Sequence, residues 1–91
     1  MIANIPEQLA TLIEATREGD YFQCLGVERD ASTTEIRDAY RRRVEELDTF
    51  RPLAVLSPEL AEAIADATQV LEDAFEVLSD PDRRLAYRRA L

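Results

Sequence analysis

The chain contains no histidine, and this absence excludes several kinds of chemistry together. Histidine is the usual general base, the commonest zinc ligand and the usual side chain that titrates near neutral pH. A serine or cysteine nucleophile would therefore have no imidazole to activate it. The many carboxylates fall at predicted helix starts and outer faces, where we expect them to be solvated. We expect no enzyme activity and no catalytic residues.

Cysteine and long apolar runs are also scarce. The single cysteine, Cys24, cannot form a disulfide within the chain, and one cysteine without histidine cannot make a structural zinc site. We interpret Cys24 as a packing residue. The sequence has neither a signal-peptide pattern nor a run of about 18 apolar residues. We expect no metal, no cofactor, no membrane partner and a reducing, cytoplasmic location.

The chain also has fewer basic residues than acidic ones. Eleven basic residues, all arginine, stand against 19 acidic ones, which gives a formal net charge of −8. Phosphates need cations to neutralise them, so this balance argues against nucleic acid as a partner. Ninety-one residues suffice for one domain with a modest core. Only two glycines, with abundant alanine, leucine, glutamate and arginine, favour helix.

A long amphipathic helix is predicted over 58–78, and the rest of the chain is expected to cover its apolar side. The apolar residues recur in steps of three and four, which keeps them on one side of a helix. They are Leu60, Ile64, Ala67, Leu71, Ala74 and Leu78. Ser57 as N-cap and Pro58 at the first position mark its start.

Caps mark two shorter helices. Asp20 and Gln23 form a capping box that opens one of them. Asp80 and Pro81 begin the other, predicted over 82–91 and rich in arginine. The side chains expected to face inwards from this last helix are Leu85 and Tyr87.

A further amphipathic helix is predicted over 5–18. Its apolar side comprises Ile5, Leu9, Leu12, Ile13 and Thr16. A helix this short is marginal alone in water, so this side must dock on something. Docking on the chain's own domain is the favoured interpretation, and a partner-binding or dimerising face is the alternative.

The second long helix is predicted over 33–48, where Ser32 and Glu35 form a capping box. Its inner stripe comprises Ile36, Ala39, Tyr40, Val44 and Leu47. Its outer surface carries Arg37, Arg41, Arg42 and Arg43. These arginines either pair with carboxylates of helix 58–78, which is slightly favoured, or meet a partner.

Three segments resemble J-domains, the DnaJ family. They are Ala74–Tyr87, similar to the junction of the third and fourth helices; Asp20–Val27, similar to the opening helix; and Ile36–Arg41, similar to the second. Their order and extent imply an all-α, J-domain-like antiparallel helical hairpin of 33–48 and 58–78 with short flanking helices and an extra N-terminal helix. We divide the chain into an N-terminal helical extension, 1–19, and a J-like domain, 20–91.

The expected core of this fold contains ten residues. They are Leu25, Ile36, Tyr40, Val44, Leu47, Ile64, Leu71, Ala74, Phe75 and Leu78. The chain is compatible with a complete small protein and with an N-terminal module of a longer one.

The family's functional tripeptide is missing. Active J-domains carry His-Pro-Asp just after the second helix, and this motif stimulates ATP hydrolysis by DnaK-type chaperones. The equivalent positions here are Asp48, Thr49 and Phe50, and no other alignment restores the motif because the chain has no histidine. The resemblance therefore implies that the chain keeps the family's fold and lacks the motif that stimulates ATP hydrolysis.

The predicted loop 50–56 is unusually apolar for a loop. Either the N-terminal helix folds over it and buries it, which is favoured, or it is an exposed patch that binds another protein. We expect a non-catalytic J-like interaction module, an adaptor or regulator, that does not stimulate a DnaK-type ATPase. The candidate partner-binding residues are Arg37, Arg41, Arg42, Phe50, Leu53 and Val55.

Two alternatives remain open at this stage. One is a co-chaperone-type regulator that docks on a DnaK-type chaperone through the second helix. The other is a homo-oligomerisation domain of a larger protein that uses residues 5–18. In every case the partner is a protein: another chain, or a downstream domain of the same chain.

Overall fold

The computed structural model describes residues 5–91, which form five α-helices and one 3₁₀ helix, with no strand among them. Their bounds are Glu7–Glu18 (α1), Tyr21–Leu25 (α2), Thr33–Phe50 (α3), the 3₁₀ helix Arg51–Leu56, Pro58–Leu78 (α4) and Pro81–Ala90 (α5). The all-α prediction is confirmed, and α4 has the predicted bounds. The numbered predictions for α1, α3 and α5 fall within two residues of the observed ends. The first four positions of the predicted extension 1–19 lie outside the described residues.

Two reciprocal capping boxes fix the starts of α2 and α3. Asp20 Oδ1 accepts the Gln23 backbone N–H at 2.9 Å, and Gln23 Oε1 accepts the Asp20 N–H at 2.8 Å. Ser32 and Glu35 repeat the arrangement at 3.1 and 3.0 Å. Each box satisfies two backbone donors that a helix start would otherwise leave without partners. Hydrogen bonds from the Ser32 backbone and side chain lower the pKa of Glu35.

The turn after α2 requires glycine and is tied to α3 by an arginine. Gly26 has φ +72°, a left-handed conformation that a side chain rarely adopts. A Cβ at this position would lie 2.7 Å from Arg43 Nη2. Arg43 Nε donates to the Cys24 carbonyl at 3.1 Å, so this side chain satisfies an acceptor at the end of α2. The backbone conformation therefore favours glycine at this turn, and a larger residue would also displace the end of the Arg43 side chain.

Helices α3 and α4 pack side by side and run in opposite directions. Near the start of α3, Tyr40 stacks on Phe75 close to the end of α4, with ring centroids 4.4 Å apart. Just after α3, Arg51 Nη2 donates to Thr68 Oγ1, further back along α4, at 3.2 Å. Later residues of α3 therefore lie beside earlier residues of α4. The predicted antiparallel hairpin is confirmed.

One hydrophobic core lies along α4 and includes residues from α1, α2 and α3. Seven of the ten predicted core residues are buried: Leu25, Ile36, Leu47, Ile64, Leu71, Ala74 and Leu78. The prediction was wrong for Tyr40, Val44 and Phe75, which are half-buried. They lie at the edges of the apolar stripes, where only one side of the side chain is covered. Leu85, expected to face inwards, is 37% exposed because α5 lies at the end of the bundle.

Helix α1 docks on the rest of the chain. Its residues Leu9, Leu12, Ile13 and Thr16 are buried, and it packs against α2, α3 and α4. The favoured interpretation of this helix is therefore confirmed. The apolar side that an oligomerisation domain would offer from residues 5–18 is already used inside the chain.

Helix α5 is fastened to both helices of the hairpin at its open end. Arg84 Nη1 donates to the Leu78 carbonyl at 2.8 Å and to Thr33 Oγ1 at 3.0 Å, which joins the end of α4 to the start of α3. The Tyr87 hydroxyl accepts the Tyr21 backbone N–H at 2.9 Å, and the two rings stack with centroids 4.8 Å apart. Asp80 caps the helix by accepting two backbone N–H groups, as predicted. Among residues 5–91, no helix is long and apolar enough to cross a membrane.

The Tyr87 hydroxyl should be important for stability. Tyr87→Phe keeps the stacked ring but leaves the Tyr21 N–H without its acceptor, so we expect the free energy of unfolding to fall by about 0.5–1.5 kcal/mol. Tyr87→Ala should cost more, because it also removes a stacked aromatic pair. Urea unfolding followed by circular dichroism measures both.

Tyr40→Phe is the matched control, because Tyr40 also stacks on an aromatic ring but its hydroxyl makes no hydrogen bond within residues 5–91. Its effect should be near zero. An equal loss of stability in Tyr40→Phe and Tyr87→Phe would contradict the role given to the Tyr87 hydroxyl.

Candidate functional site

Three arginines on the outer side of α3 are free of internal partners. Arg37, Arg41 and Arg42 are exposed, and none makes an ion pair or a hydrogen bond within residues 5–91. The slightly favoured interpretation, that these arginines pair with carboxylates of α4, was therefore wrong. The inner stripe of α3 packs on α4, so its outer side faces away from the α4 carboxylates. We call Arg37, Arg41 and Arg42 the α3 arginine surface.

The fourth arginine of this run has a different position. Arg43 is half-buried, donates to the Cys24 carbonyl and forms an ion pair with Glu46 at 3.3 Å. The ion pairs present within residues 5–91 are Arg29–Asp20, Arg43–Glu46, Arg51–Asp48 and Arg83–Glu76. Arg43 is thus a structural residue, and sequence spacing alone did not separate it from its neighbours.

The positions equivalent to His-Pro-Asp lie in the last turn of α3. The sequence indicated that the helix ends at residue 48, but it continues to Phe50 and passes directly into the 3₁₀ helix. Asp48 pairs with Arg51, and Thr49 Oγ1 donates to the Glu45 carbonyl at 3.0 Å. The backbone at these positions is therefore helical, and the side chains of Asp48 and Thr49 bind to neighbours within four residues.

The apolar segment after α3 is divided between covered and uncovered side chains. Phe50 and Leu53 are half-buried and pack against the core. Val55 is 88% exposed and Leu56 is 69% exposed. The segment packs on α3 and α4, whereas α1 packs on α2, α3 and α4. The favoured interpretation, burial under α1, is therefore wrong for Val55, and we call Val55 and Leu56 the 3₁₀ patch.

The patch extends one residue beyond the sequence-based candidates. Leu56 was not among them, although it is more exposed than Phe50 or Leu53. No signal in the sequence distinguishes it, because exposure here depends on which side of a short 3₁₀ helix faces α4. Helical spacing cannot predict that orientation.

Cys24 is a buried packing residue. Its thiol lies 3.2 Å from the Ala15 carbonyl, and the side chain is buried. Burial raises the pKa of the Cys24 thiol, and the charge of Asp20 adds to this effect. The thiol is therefore protonated at neutral pH, where a protonated thiol is a poor nucleophile and metal ligand. Within residues 5–91, no group of three or more histidine, cysteine, aspartate or glutamate side chains could hold a metal ion.

A family model described as the DnaJ domain matches residues 20–88, more than half of the chain. The chain belongs to the DnaJ domain family. The matched segment begins at the N-cap of α2 and ends within α5, so it contains the α3 arginine surface and the 3₁₀ patch. Helix α1 precedes it.

Several curated proteins are similar to this DnaJ domain. The chaperone protein DnaJ of Thermotoga maritima is 40% identical over 70 residues, which cover 77% of this chain and 18% of that protein. The DnaJ homolog subfamily C member 18 of Homo sapiens is 37% identical over 81 residues, 89% of this chain and 21% of that protein. The chain thus spans about a fifth of the length of these relatives. No solved structure matches significantly.

The pKa of Cys24 leads to a prediction about alkaline stability. Because the folded state raises this pKa above the usual 9.0, the folded state holds the thiol proton more tightly than the unfolded chain does. The corresponding stability is complete below the unfolded pKa and is lost as pH rises through the folded one. We expect the free energy of unfolding to fall more steeply from pH 8 to pH 10 in the wild type than in Cys24→Ala, as measured by urea titration.

Burial raises the pKa of Tyr21, and the charge of Cys24 adds to this rise, so the Tyr21 titration is not identical in the two proteins. Both proteins are therefore compared in a Tyr21→Phe background, which removes this coupling. An equal pH dependence of the free energy of unfolding in the two proteins would show that folding does not raise the pKa of Cys24.

Proposed function

We propose that this chain is a non-catalytic protein-interaction module that docks on an acidic partner through the α3 arginine surface. The observation that carries the proposal is that Arg37, Arg41 and Arg42 are exposed and unpaired within residues 5–91. Guanidinium groups bind carboxylates with two parallel hydrogen bonds, so an unpaired group of them suits an acidic protein surface. The overall charge of −8 makes this basic surface a local exception.

A DnaK-type chaperone is the partner that family membership favours. In active J-domains the corresponding surface of the second helix is basic and meets an acidic region of the ATPase chaperone. The relatives from Thermotoga and Aquifex are named chaperone protein DnaJ, which is consistent with this choice. Exposed charges contribute modestly to affinity, and they increase the association rate and select the partner.

The proposed module docks without stimulating ATP hydrolysis. The family's stimulating motif needs a histidine, and the chain has none. Asp48, Thr49 and Phe50, which occupy the equivalent positions, are helical. A module that docks in this way acts as an adaptor or regulator.

The 3₁₀ patch supports a second contact with a partner. Val55 and Leu56 expose apolar surface side by side, which is unusual next to a packed core. They belong to the 3₁₀ helix that follows α3 directly, and we propose that one protein contacts both surfaces. We propose that the patch supplies apolar contact area while the arginines supply charge complementarity.

Charge reversal on α3 tests the proposed docking. Arg37→Glu combined with Arg41→Glu should weaken binding to the DnaK-type chaperone from the same cell by about tenfold or more, because attraction becomes repulsion. Isothermal titration calorimetry measures the affinity. Arg17→Glu combined with Arg89→Glu changes the net charge equally on other exposed positions and should change the affinity by less than about threefold.

No binding by the wild type, or equal losses in the two double variants, would contradict docking through α3. A steady-state ATPase assay tests the regulatory part, since a several-fold stimulation by the wild type would contradict it.

The 3₁₀ patch is tested best at its most exposed residue. Val55→Asp should leave the circular dichroism spectrum and the free energy of unfolding nearly unchanged, because surface substitutions usually change stability by less than about 0.5 kcal/mol. It should weaken binding to the same chaperone. Phe50→Asp places a charge against the core and should lower stability itself, so it is the comparison for fold damage. Unchanged binding in Val55→Asp would exclude the patch from the interface.

A further inference from the structure

A groove of about 680 Å³ lies between α1 and the first half of α4. Its lining includes Ala10 and Ile13 from α1 and Ala63 from α4. Ile5, which also lines the groove, and Ala10 are half-buried and supply its accessible apolar surface, whereas Ile13 and Ala63 are buried. Because α1 precedes the matched segment 20–88, the DnaJ domain match does not account for this groove.

Carboxylates line both sides of the groove. Glu14 and Glu18 lie four residues apart on α1, and three more acids follow helical spacing on α4: Glu59, Glu62 and Asp66. All five are exposed, and none forms an ion pair or a hydrogen bond within residues 5–91. Among residues 5–91, Arg17 is the one basic residue of this lining, so the five negative charges and one positive charge described here give a formal net charge of −4.

We propose that this groove binds a cationic amphipathic helix of another protein. Its apolar side chains lie on the accessible apolar surface of Ile5 and Ala10, as in other helix-in-groove complexes. Its arginines and lysines extend over the rims, because their long stems cover apolar surface while their charged ends reach the carboxylates. The excess negative charge selects against nucleic acid and anionic membranes.

This second site has the opposite preference to the α3 arginine surface. The α3 surface selects an acidic partner, and the groove selects a basic one, so the two sites do not compete for the same ligand. The inference is independent of docking on a DnaK-type chaperone. Each proposal therefore has its own test.

A labelled synthetic peptide with leucines on one helical face and arginines on the other is a suitable probe. Fluorescence anisotropy at physiological salt measures its dissociation constant for the full chain. Glu14→Gln combined with Glu62→Gln removes one charge from each rim and should weaken binding about tenfold. Ala10→Gln should also weaken it, because a longer uncharged side chain occupies the groove.

The matched control is Glu45→Gln combined with Glu72→Gln, which removes the same charge from exposed positions outside the groove. It should change the dissociation constant by less than about twofold. Arg37→Glu combined with Arg41→Glu should leave peptide binding intact, which separates this test from the docking test on α3.

Three results would overturn the proposal. The first is no binding of the peptide to the wild type. The second is an equal loss of binding in the groove variant and its matched control, which would indicate attraction by overall charge. The third is self-association of the wild type in light scattering that the Glu14→Gln and Glu62→Gln variant abolishes, which would make a second copy the occupant.

Discussion

The apolar stripe of α4 is the constraint on which the whole fold depends. All five other elements pack against this helix. Its four large buried residues are Leu60, Ile64, Leu71 and Leu78. Burying each contributes about 1.5–3 kcal/mol, so together they contribute roughly 6–12 kcal/mol, as much as the whole net stability of a typical domain. A polar residue in this stripe would weaken the packing of every element at once.

The sequence predicted what depends on local chemistry. Helix starts followed from caps such as Ser32 with Glu35, and α4 followed from the spacing of its apolar residues. It failed where the answer depends on how a neighbouring element is rotated. Tyr40 and Phe75 lie at stripe edges, where spacing does not decide between burial and exposure. The pairing favoured for the α3 arginines failed, and the exposed Leu56 was missed, for the same reason.

Most contacts that hold the helices together lie away from residues 48–50, the positions that the resemblance equates with His-Pro-Asp. The fold relies on the α4 stripe, on capping boxes and on the ties made by Arg43, Arg84 and Tyr87. Asp48 and Thr49 take no part in these contacts, and Phe50, the third position, is half-buried and packs against the core. Helix α3 extends through all three positions and ends at Phe50.

The unbroken passage from α3 into the 3₁₀ helix fixes the distance between charge and apolar surface. Because no flexible loop intervenes, Val55 and Leu56 keep a set orientation relative to Arg37 and Arg41. A protein that touches both surfaces meets a preorganised template and loses little conformational entropy on binding. If the proposed docking holds, this fixed separation selects partners whose acidic and apolar groups lie equally far apart.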